Sequence, residues 1–214
     1  MIKRGLFSSI LLCLSSATYA GVFDIGSYSP ANGMKKEVLN AALKSLSCAN
    51  KQGHKVDSKL AIIDFSKPSN EKRLWILDLE TKKYILEDYV SHGKNSGDKY
   101  SNKFSNVLNS YQSSIGLFKG SEPYYGRNGY SLRLDGLERG WNDKARERNI
   151  VIHSASYVDE SFIKKTGRAG RSHGCPAVSK NSLNDVIDNL KDGQYIFKYY
   201  PDQKWLKNST YLNC

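Results

Sequence analysis

Apolar residues recur at helical spacing near the start of the chain. Within residues 33–49, Met34, Val38, Ala42 and Leu46 fall on one side of a helix with 3.6 residues per turn. Polar residues fill most of the positions between them. We therefore expect an amphipathic helix that lies across the rest of the domain.

Two more helices are predicted late in the chain, a short one at residues 141–148 and a longer one at residues 180–190. Ser179 precedes the longer segment and can cap it, while Gly193 follows it closely. Hydroxyl residues before a helix and glycine after it are typical boundary signals.

The rest of the pattern changes to short apolar or β-rich runs separated by polar turns, such as residues 67–70. Runs of this kind predict consecutive strands. The predicted strands are residues 60–65, 74–79, 83–90, 114–119, 130–134, 150–153 and 194–200. The sequence therefore predicts a mainly β fold.

A polar segment at residues 91–113 separates two of these strands. It is too long for a hairpin turn and too short for a domain. Long loops within compact domains are more often functional than structural, so we expect this segment to contribute to a site.

The first twenty residues have the pattern of a secretory signal. Lys3 and Arg4 precede an apolar run at residues 6–17, and small residues follow near Ala20. The apolar run is shorter than the roughly 20 residues that a membrane span needs. We expect export to the periplasm or the exterior, with no stable membrane insertion once the signal is removed.

The composition is that of a globular protein, with 39% hydrophobic and 25% charged residues. The 32 basic and 21 acidic residues give a net charge of +11; without residues 1–20, 30 basic and 21 acidic residues leave +9. The basic residues are scattered and no nucleic-acid motif accompanies them. The charge favours an anionic wall polymer or a carboxylate-bearing substrate, or serves solubility alone; no nucleic-acid partner is expected.

Three cysteines follow the predicted signal: Cys48, Cys175 and Cys214. An odd number in an oxidising compartment leaves one thiol free or bonded to another chain. A bond between Cys48 and Cys214 would tie the C-terminus to the first helix. Cys175 would then be free.

Candidate chemistry is concentrated in residues 152–178. A predicted strand delivers His153, and a loop returns the chain to Cys175 22 residues later, after Arg171, His173 and Gly174. A cysteine thiolate is a strong nucleophile when a neighbour takes its proton or lowers its pKa. The small Gly174 allows a close backbone approach, so the amides of residues 174 and 175 can face a developing oxyanion.

His153 together with the run Ser172-His173-Gly174-Cys175 resembles the signature of the L,D-transpeptidase (YkuD-type) catalytic domain. The string at residues 167–177 looks like a divergent subfamily, and the similarity extends from about residue 60 to residue 200. Further stretches that match are residues 63–68, 73–75, 92–97 and 131–137. The resemblance implies a YkuD-like β-sandwich catalytic domain over residues 59–214, preceded by an N-terminal helical extension at residues 21–58.

Carried over residue by residue, the resemblance implies Cys175 as nucleophile and His153 as its base. The backbone of Ser154 would orient the imidazole, and the amides of Gly174 and Cys175 would bind the oxyanion. His173 would support the pocket. Better-known members carry arginine two residues after the nucleophile, where this chain has Ala177. Arg168 or Arg171 would then supply the missing positive charge.

The implied reaction is acyl transfer on peptidoglycan stem peptides without a cofactor. Cys175 would attack a tetrapeptide stem, expel the terminal D-alanine and hold a thioester. An amine of a neighbouring stem would resolve the thioester as a cross-link, whereas water would make the protein an L,D-carboxypeptidase. Ser172, Arg133 and His92 are further candidates for substrate binding, although each also fits an ordinary loop or surface position.

Two alternatives belong to other classes. His153, His173 and Cys175 could ligate zinc, but their spacing matches no zinc signature. The chain could instead be a non-catalytic wall-binding module whose tyrosines stack on sugars, although tyrosine is also common in β-sheets.

Overall fold

The computed structural model describes residues 25–214. The predicted secretory signal, residues 1–20, lies outside the described residues. Strands contain more of the described residues than helices do, and eight of them form one large sheet, so the prediction of a mainly β domain is confirmed. No helix within residues 25–214 is both long and apolar enough to cross a membrane.

The larger sheet contains eight strands in the order β3-β2-β1-β10-β5-β6-β7-β9, and β4 pairs with β8 in a separate two-stranded sheet. The bounds are β1 Lys59–Asp64, β2 Leu74–Asp78, β3 Lys83–Asp88, β4 His92–Gly93, β5 Gly116–Gly126, β6 Gly129–Gly136, β7 Val151–Ser154, β8 Arg171–Ser172, β9 Ala177–Val178 and β10 Tyr195–Tyr199. The sheet is mixed: β1 pairs parallel with β10 and β7 pairs parallel with β9, while the other neighbours are antiparallel.

The apolar pattern of the strands follows their positions in the sheet. All five residues of the central strand β10 are buried, whereas the edge strand β3 alternates between exposed and partly buried positions. Near-continuous apolar runs are typical of strands covered on both faces. Helices pack against the central strands: α1 against β1 and β10, and a later helix, α3, against β1, β5, β6 and β7.

Helix α1 spans Lys36–Lys51, close to the predicted residues 33–49, and buries Val38, Leu39, Ala42 and Leu46 in the same core as the sheet. The predicted helix at residues 180–190 is α3, Leu183–Leu190, and the hydroxyl of Ser179 accepts a hydrogen bond from the Ser182 amide just before it. The remaining helices are α2 Glu160–Thr166 and α4 Gln203–Asn208, with 3-10 turns at Ile25–Ser27 and Ser156–Val158.

The predicted helix at residues 141–148 is wrong, because these residues form a series of turns. The Glu138 carbonyl accepts from the amides of residues 141, 142 and 143, and only the bond from residue 142 has the i→i−4 spacing of an α-helix. The Asn142 side chain donates to the carbonyls of Ile115 (3.0 Å) and Leu117 (3.1 Å) and accepts from the Glu138 amide. These bonds tie the segment to β5 and override its helical tendency.

Cys48 of α1 and Cys214 form a disulfide with an S–S distance of 2.01 Å and a sequence separation of 166 residues. It fastens the C-terminus to the first helix. Cys175 is the free cysteine among the described residues.

Candidate active site

The Cys175 thiol lies in the short connection between β8 and β9. Its sulfur accepts from the Val151 amide at 3.5 Å and donates to the Asn149 carbonyl at 3.6 Å. Burial raises the pKa of the Cys175 thiol; the Val151 hydrogen bond and the charges of Lys198 and Arg148 oppose that rise. A contact between the sulfur and a carbonyl oxygen, which can only accept, suits the protonated thiol.

A set of hydrogen bonds holds the turn that precedes Cys175. Ser172 Oγ accepts from the Gly174 amide at 3.0 Å and donates to the Cys175 carbonyl at 2.6 Å. Ser113 Oγ donates to the Gly174 carbonyl at 3.1 Å. Ser172 is buried, so it shapes the turn rather than facing a substrate.

Glycine is required at position 174. Its φ of +124° belongs to a region that side chains rarely adopt, and a Cβ there would lie 2.8 Å from the Gln112 carbonyl oxygen. The Gly174 amide already donates to Ser172, so its predicted role as an oxyanion donor does not fit this geometry. The Cys175 amide has no hydrogen-bond partner within residues 25–214.

His153 lies in β7 and pairs with Ala177 of β9. Its Nδ1 donates to the Ser154 carbonyl at 2.9 Å; a carbonyl only accepts, so the proton of the neutral ring is on Nδ1 and Nε2 is free to act as a base. Burial lowers the pKa of His153, which favours the neutral ring. Among the described residues, no hydrogen bond joins His153 to Cys175.

The sulfur and the imidazole are both connected to strand β7. The sulfur accepts from the Val151 amide, and His153 is two residues further along the same strand, a rise of about 6.6 Å between the two backbone positions.

A pocket of about 250 Å³ opens beside the sulfur, and its lining residues come from three separate segments. These residues are Asn109, Tyr111, Arg148, Asn149, His173 and Cys175. The predicted pocket residue His173 is exposed there, with its ring centroid 4.6 Å from that of Tyr111. The long polar segment at residues 91–113 therefore supplies one wall of the pocket.

Backbone strain is concentrated in this pocket. Asn109, Tyr111 and Asn149 have φ values of 56°, 54° and 52° in the left-handed region. Asparagine tolerates this region, but a bulky residue such as Tyr111 does so at a cost. Residues held in unfavourable backbone conformations tend to occur at functional sites.

Arg148 is the pocket cation that the sequence reasoning missed. Its guanidinium donates to the carbonyls of Ser105 and Gln112, both at 2.6 Å, and to the Ser110 hydroxyl at 3.2 Å. No carboxylate of the described chain pairs with it. In sequence it is one of several basic residues in a predicted surface helix, so no local signal distinguished it.

The other predicted arginines lie outside the pocket lining. Arg168 and Arg171 both pair with Asp98, at 3.0 and 3.3 Å. Arg133 pairs with Glu122 at 3.2 Å and lies over the Tyr124 ring. The prediction that one of these residues supplies the charge beside the nucleophile is not supported, because their carboxylate and aromatic partners hold them elsewhere.

His92 is also misplaced by the sequence reasoning. It is fully buried, and its Nδ1 accepts from the buried Arg73 at 2.8 Å. Burial and the nearby Arg73 charge lower the pKa of His92 to about 3. His92 thus packs inside the protein instead of contacting a substrate.

The zinc alternative has no structural support in the part of the chain that is described. No three His, Cys, Asp or Glu side chains within residues 25–214 are grouped so that they could hold a metal ion.

The large sheet makes this a mainly β domain. The free thiol of Cys175 and the imidazole of His153 on β7 make its candidate site a cysteine and histidine site. The sequence profile of the L,D-transpeptidase catalytic domain matches residues 30–199. The chain therefore belongs to the L,D-transpeptidase catalytic domain family.

Solved structures show distant similarity. An L,D-transpeptidase from Mycobacterium smegmatis is 13% identical, with a TM-score of 0.43 over 67% of this chain and 59% of that one. An L,D-transpeptidase from Stackebrandtia nassauensis is 14% identical, with a TM-score of 0.41 over 77% and 67%. The helical cell shape determining protein Pgp2 of Campylobacter jejuni is 14% identical, with a TM-score of 0.41 over 67% and 49%.

The chain thus spans about three fifths of the length of the M. smegmatis enzyme. No curated protein sequence matches the chain. The family assignment rests on the sequence profile.

Proposed function

We propose that this chain is an L,D-transpeptidase that forms a thioacyl enzyme on peptidoglycan tetrapeptide stems, with Cys175 as nucleophile and His153 as general base. The observation that carries the proposal is the free Cys175 thiol beside a pocket. Its sulfur accepts a hydrogen bond from the Val151 amide, and two residues further along that strand is His153, whose Nε2 is unprotonated in the neutral ring.

In the first half-reaction, His153 Nε2 takes the proton of the Cys175 thiol. The thiolate sulfur then bonds to the stem carbonyl carbon, and the carbonyl electrons move to oxygen. When this intermediate collapses, the bond to the terminal D-alanine breaks and His153 returns the proton to the leaving amine. The products are a thioester on Cys175 and free D-alanine.

The Cys175 amide is the oxyanion donor that the geometry favours. It has no partner within the described residues, whereas the neighbouring Gly174 amide is occupied by Ser172. Losing a single donor of this type typically costs about 10² to 10³ in rate. Gly174 contributes by its backbone conformation, and Ser154 by orienting His153.

Arg148 is our candidate for the group that binds a stem carboxylate. It lines the pocket beside Cys175 and lacks a carboxylate partner in the described chain, and its Nε proton remains unpaired. A guanidinium of this kind is well matched to a carboxylate. It would take the role that the sequence reasoning gave to Arg168 or Arg171.

In the second half-reaction, an amine of a neighbouring stem passes a proton to His153 and attacks the thioester, which forms the cross-link and restores the thiol. Water in place of the amine would give an L,D-carboxypeptidase. No cofactor takes part in either route.

We further propose that the protein acts in the periplasm or outside the cell. Two observations support this location: the signal pattern at residues 1–20 and the Cys48–Cys214 disulfide, since disulfides persist in oxidising compartments.

The test is incubation with purified disaccharide tetrapeptide, followed by mass spectrometry of the products and of the protein. Cross-linked dimers would support transfer, tripeptide would identify a carboxypeptidase, and unchanged substrate would contradict both. Cys175→Ala should lose roughly 10⁴-fold or more in turnover. Arg168→Ala is a control outside the pocket and should retain most activity.

The pH dependence provides a second check on the same proposal. Because protonation of His153 removes the base and burial lowers its pKa, activity should fall on the acidic side, below about pH 6.5. A wall-binding module would bind peptidoglycan equally well with Ala at position 175.

A further inference from the structure

Tyr111 is held in an unfavourable backbone conformation at the pocket beside the candidate nucleophile. Its φ is +54°, and among residues 25–214 it is the only aromatic residue with a left-handed backbone. An aromatic residue adopts this region at a cost, whereas asparagine adopts it more readily. Such a conformation persists where the surrounding structure holds it in place, and it is concentrated at functional sites.

The segment around Tyr111 is anchored on two sides. The Tyr111 carbonyl accepts from the Asn95 amide at 3.1 Å, and a Cβ on Gly93 would lie 2.5 Å from the same oxygen. Two residues further on, the Ser113 hydroxyl accepts from the Gly93 amide at 3.0 Å and donates to the Gly174 carbonyl at 3.1 Å. These contacts hold the unfavourable backbone in place and keep Tyr111 in the wall of the pocket.

Two side chains contact the Tyr111 ring. The Lys94 ammonium lies 4.2 Å from the ring centroid, which is a cation–π geometry, and the centroid of the His173 ring lies 4.6 Å away. The backbone of Lys94 is tied to the turn before the nucleophile, since its amide donates to the Ser172 carbonyl at 2.8 Å. The Lys94 side chain is exposed, and it has no carboxylate partner in the part of the chain that the structure describes.

The pocket has the chemistry of an anion site. Its lining residues include no aspartate or glutamate, and its amide, phenol, imidazole and guanidinium groups can all donate hydrogen bonds. Arg148 in the lining and Lys94 on the Tyr111 ring are two cations that no carboxylate of residues 25–214 neutralises. A ligand with a single carboxylate can pair closely with only one of them. Two such cations at one pocket therefore match a ligand that carries two separate carboxylates.

We propose that Lys94 and Tyr111 form a second anion subsite, through which the protein selects peptidoglycan stems that carry a free carboxylate besides the one that Arg148 binds. The Tyr111 ring supports the Lys94 ammonium at the pocket, and the ammonium pairs with this second carboxylate. The inference rests on the proposed function, in which a stem peptide occupies the pocket. Stems whose internal carboxylates are converted to carboxamides lack the charge and should be poorer substrates.

The first experiment compares two tetrapeptide stems, one with free internal carboxylates and one with carboxamides in their place. Both stems keep the carboxylate of the terminal D-alanine. The wild-type KM for the free stem should be about tenfold lower than for the amidated stem, because the amide cannot form a charge-assisted hydrogen bond with the ammonium. Equal KM values for the two stems in the wild type would overturn the inference.

Replacing Lys94 tests whether this preference comes from its charge. Lys94→Gln should raise the KM for the free stem to the value for the amidated stem with little change in kcat, since the interaction acts on binding. Lys94→Arg retains the charge and should keep most of the preference. Raising the salt concentration should weaken the wild-type preference, because the ammonium is exposed and its charge is screened.

Lys103→Gln is the matched control. Lys103 is an exposed lysine of the same segment at residues 91–113, and within the described chain it contacts neither the Tyr111 ring nor a carboxylate. Its replacement removes the same charge and should leave the preference for the free stem unchanged. A loss as large as in Lys94→Gln would show that the total charge of the segment acts, which would contradict a subsite at Lys94.

Replacements of Tyr111 separate a binding role from a structural one. Tyr111→Phe keeps the ring and should retain the preference. Tyr111→Asn removes the ring but suits the left-handed backbone, so it should lose most of the preference and still unfold at the same or a higher urea concentration. Lower stability of Tyr111→Asn together with an unchanged preference would identify a purely structural tyrosine and overturn the inference.

Binding to the inactive Cys175→Ala variant, measured by calorimetry, distinguishes failure of the subsite from failure of the reaction. If wild type turns over both stems equally and the variant binds them equally, the transpeptidase proposal stands and the subsite does not. If wild type leaves both stems unchanged while Cys175→Ala binds the free stem more tightly, and Lys94→Gln abolishes that difference, the subsite stands and the proposed reaction does not. Binding of neither stem would overturn the subsite.

Discussion

Replacing Arg148 by methionine tests whether this guanidinium fastens the long segment at residues 91–113 to the site. Arg148 makes three hydrogen bonds to that segment, two of them to backbone carbonyls at 2.6 Å. Hydrogen bonds to a charged donor contribute about 1.5 to 3 kcal/mol each. Because the freed carbonyls of this partly exposed loop can regain water, we expect Arg148→Met to lower the free energy of unfolding by about 3 kcal/mol.

Arg146, two residues earlier, is the matched control. It pairs with Glu122 and Asp135, and 47% of its side chain is exposed. Exposed ion pairs contribute about 0 to 1 kcal/mol and are screened by salt. We therefore expect Arg146→Met to cost no more than about 1 kcal/mol, and less in high salt.

Urea unfolding followed by circular dichroism measures both losses. Hydrogen exchange should show in addition that amides near residues 105–113 open more readily in Arg148→Met than in Arg146→Met, because the anchor of the segment is gone. Equal losses for the two variants, or undisturbed exchange in this segment, would refute the reasoning.

Two further predictions concern stability. Replacing both Cys48 and Cys214 by serine opens a loop with a sequence separation of 166 residues. The chain-entropy model gives the bond a stabilisation of about 5 kcal/mol, and we expect the free energy of unfolding in urea to fall by about 3 to 5 kcal/mol. An unchanged unfolding midpoint would argue against this prediction. The second concerns His92, whose pKa is about 3 in the folded protein and has its ordinary value of about 6.5 in the unfolded chain. Between these two pH values the unfolded chain binds a proton that the folded protein does not bind. The free energy of unfolding should therefore fall by up to about 4 kcal/mol as the pH drops from 6.5 toward 3. His92→Gln should flatten that part of the curve, and an equally steep curve would contradict this origin.

The sequence alone determined the elements with strong local signals. Strands β1 and β10 are short, nearly continuous apolar runs, and α1 has one apolar face, so their periods identify them. The Cys48–Cys214 bond was one option that the sequence offered and the structure contains it, and Cys175 and His153 were singled out by chemistry that depends on residue type.

The tertiary structure decided which cations lie near the sulfur. Arg168 and Arg171 are close to Cys175 in sequence, yet both pair with Asp98, whereas Arg148, which lines the pocket beside the sulfur, comes from a distant segment. Likewise, a hydrogen bond with the buried Arg73 fixes His92 in the interior, and the Asn142 side chain ties residues 141–148 down as turns instead of a helix. These outcomes depend on which side chains come into contact once the sheet has assembled. The sequence does not show those contacts, because hydrophobic periodicity and motif spacing describe only residues that are near each other along the chain.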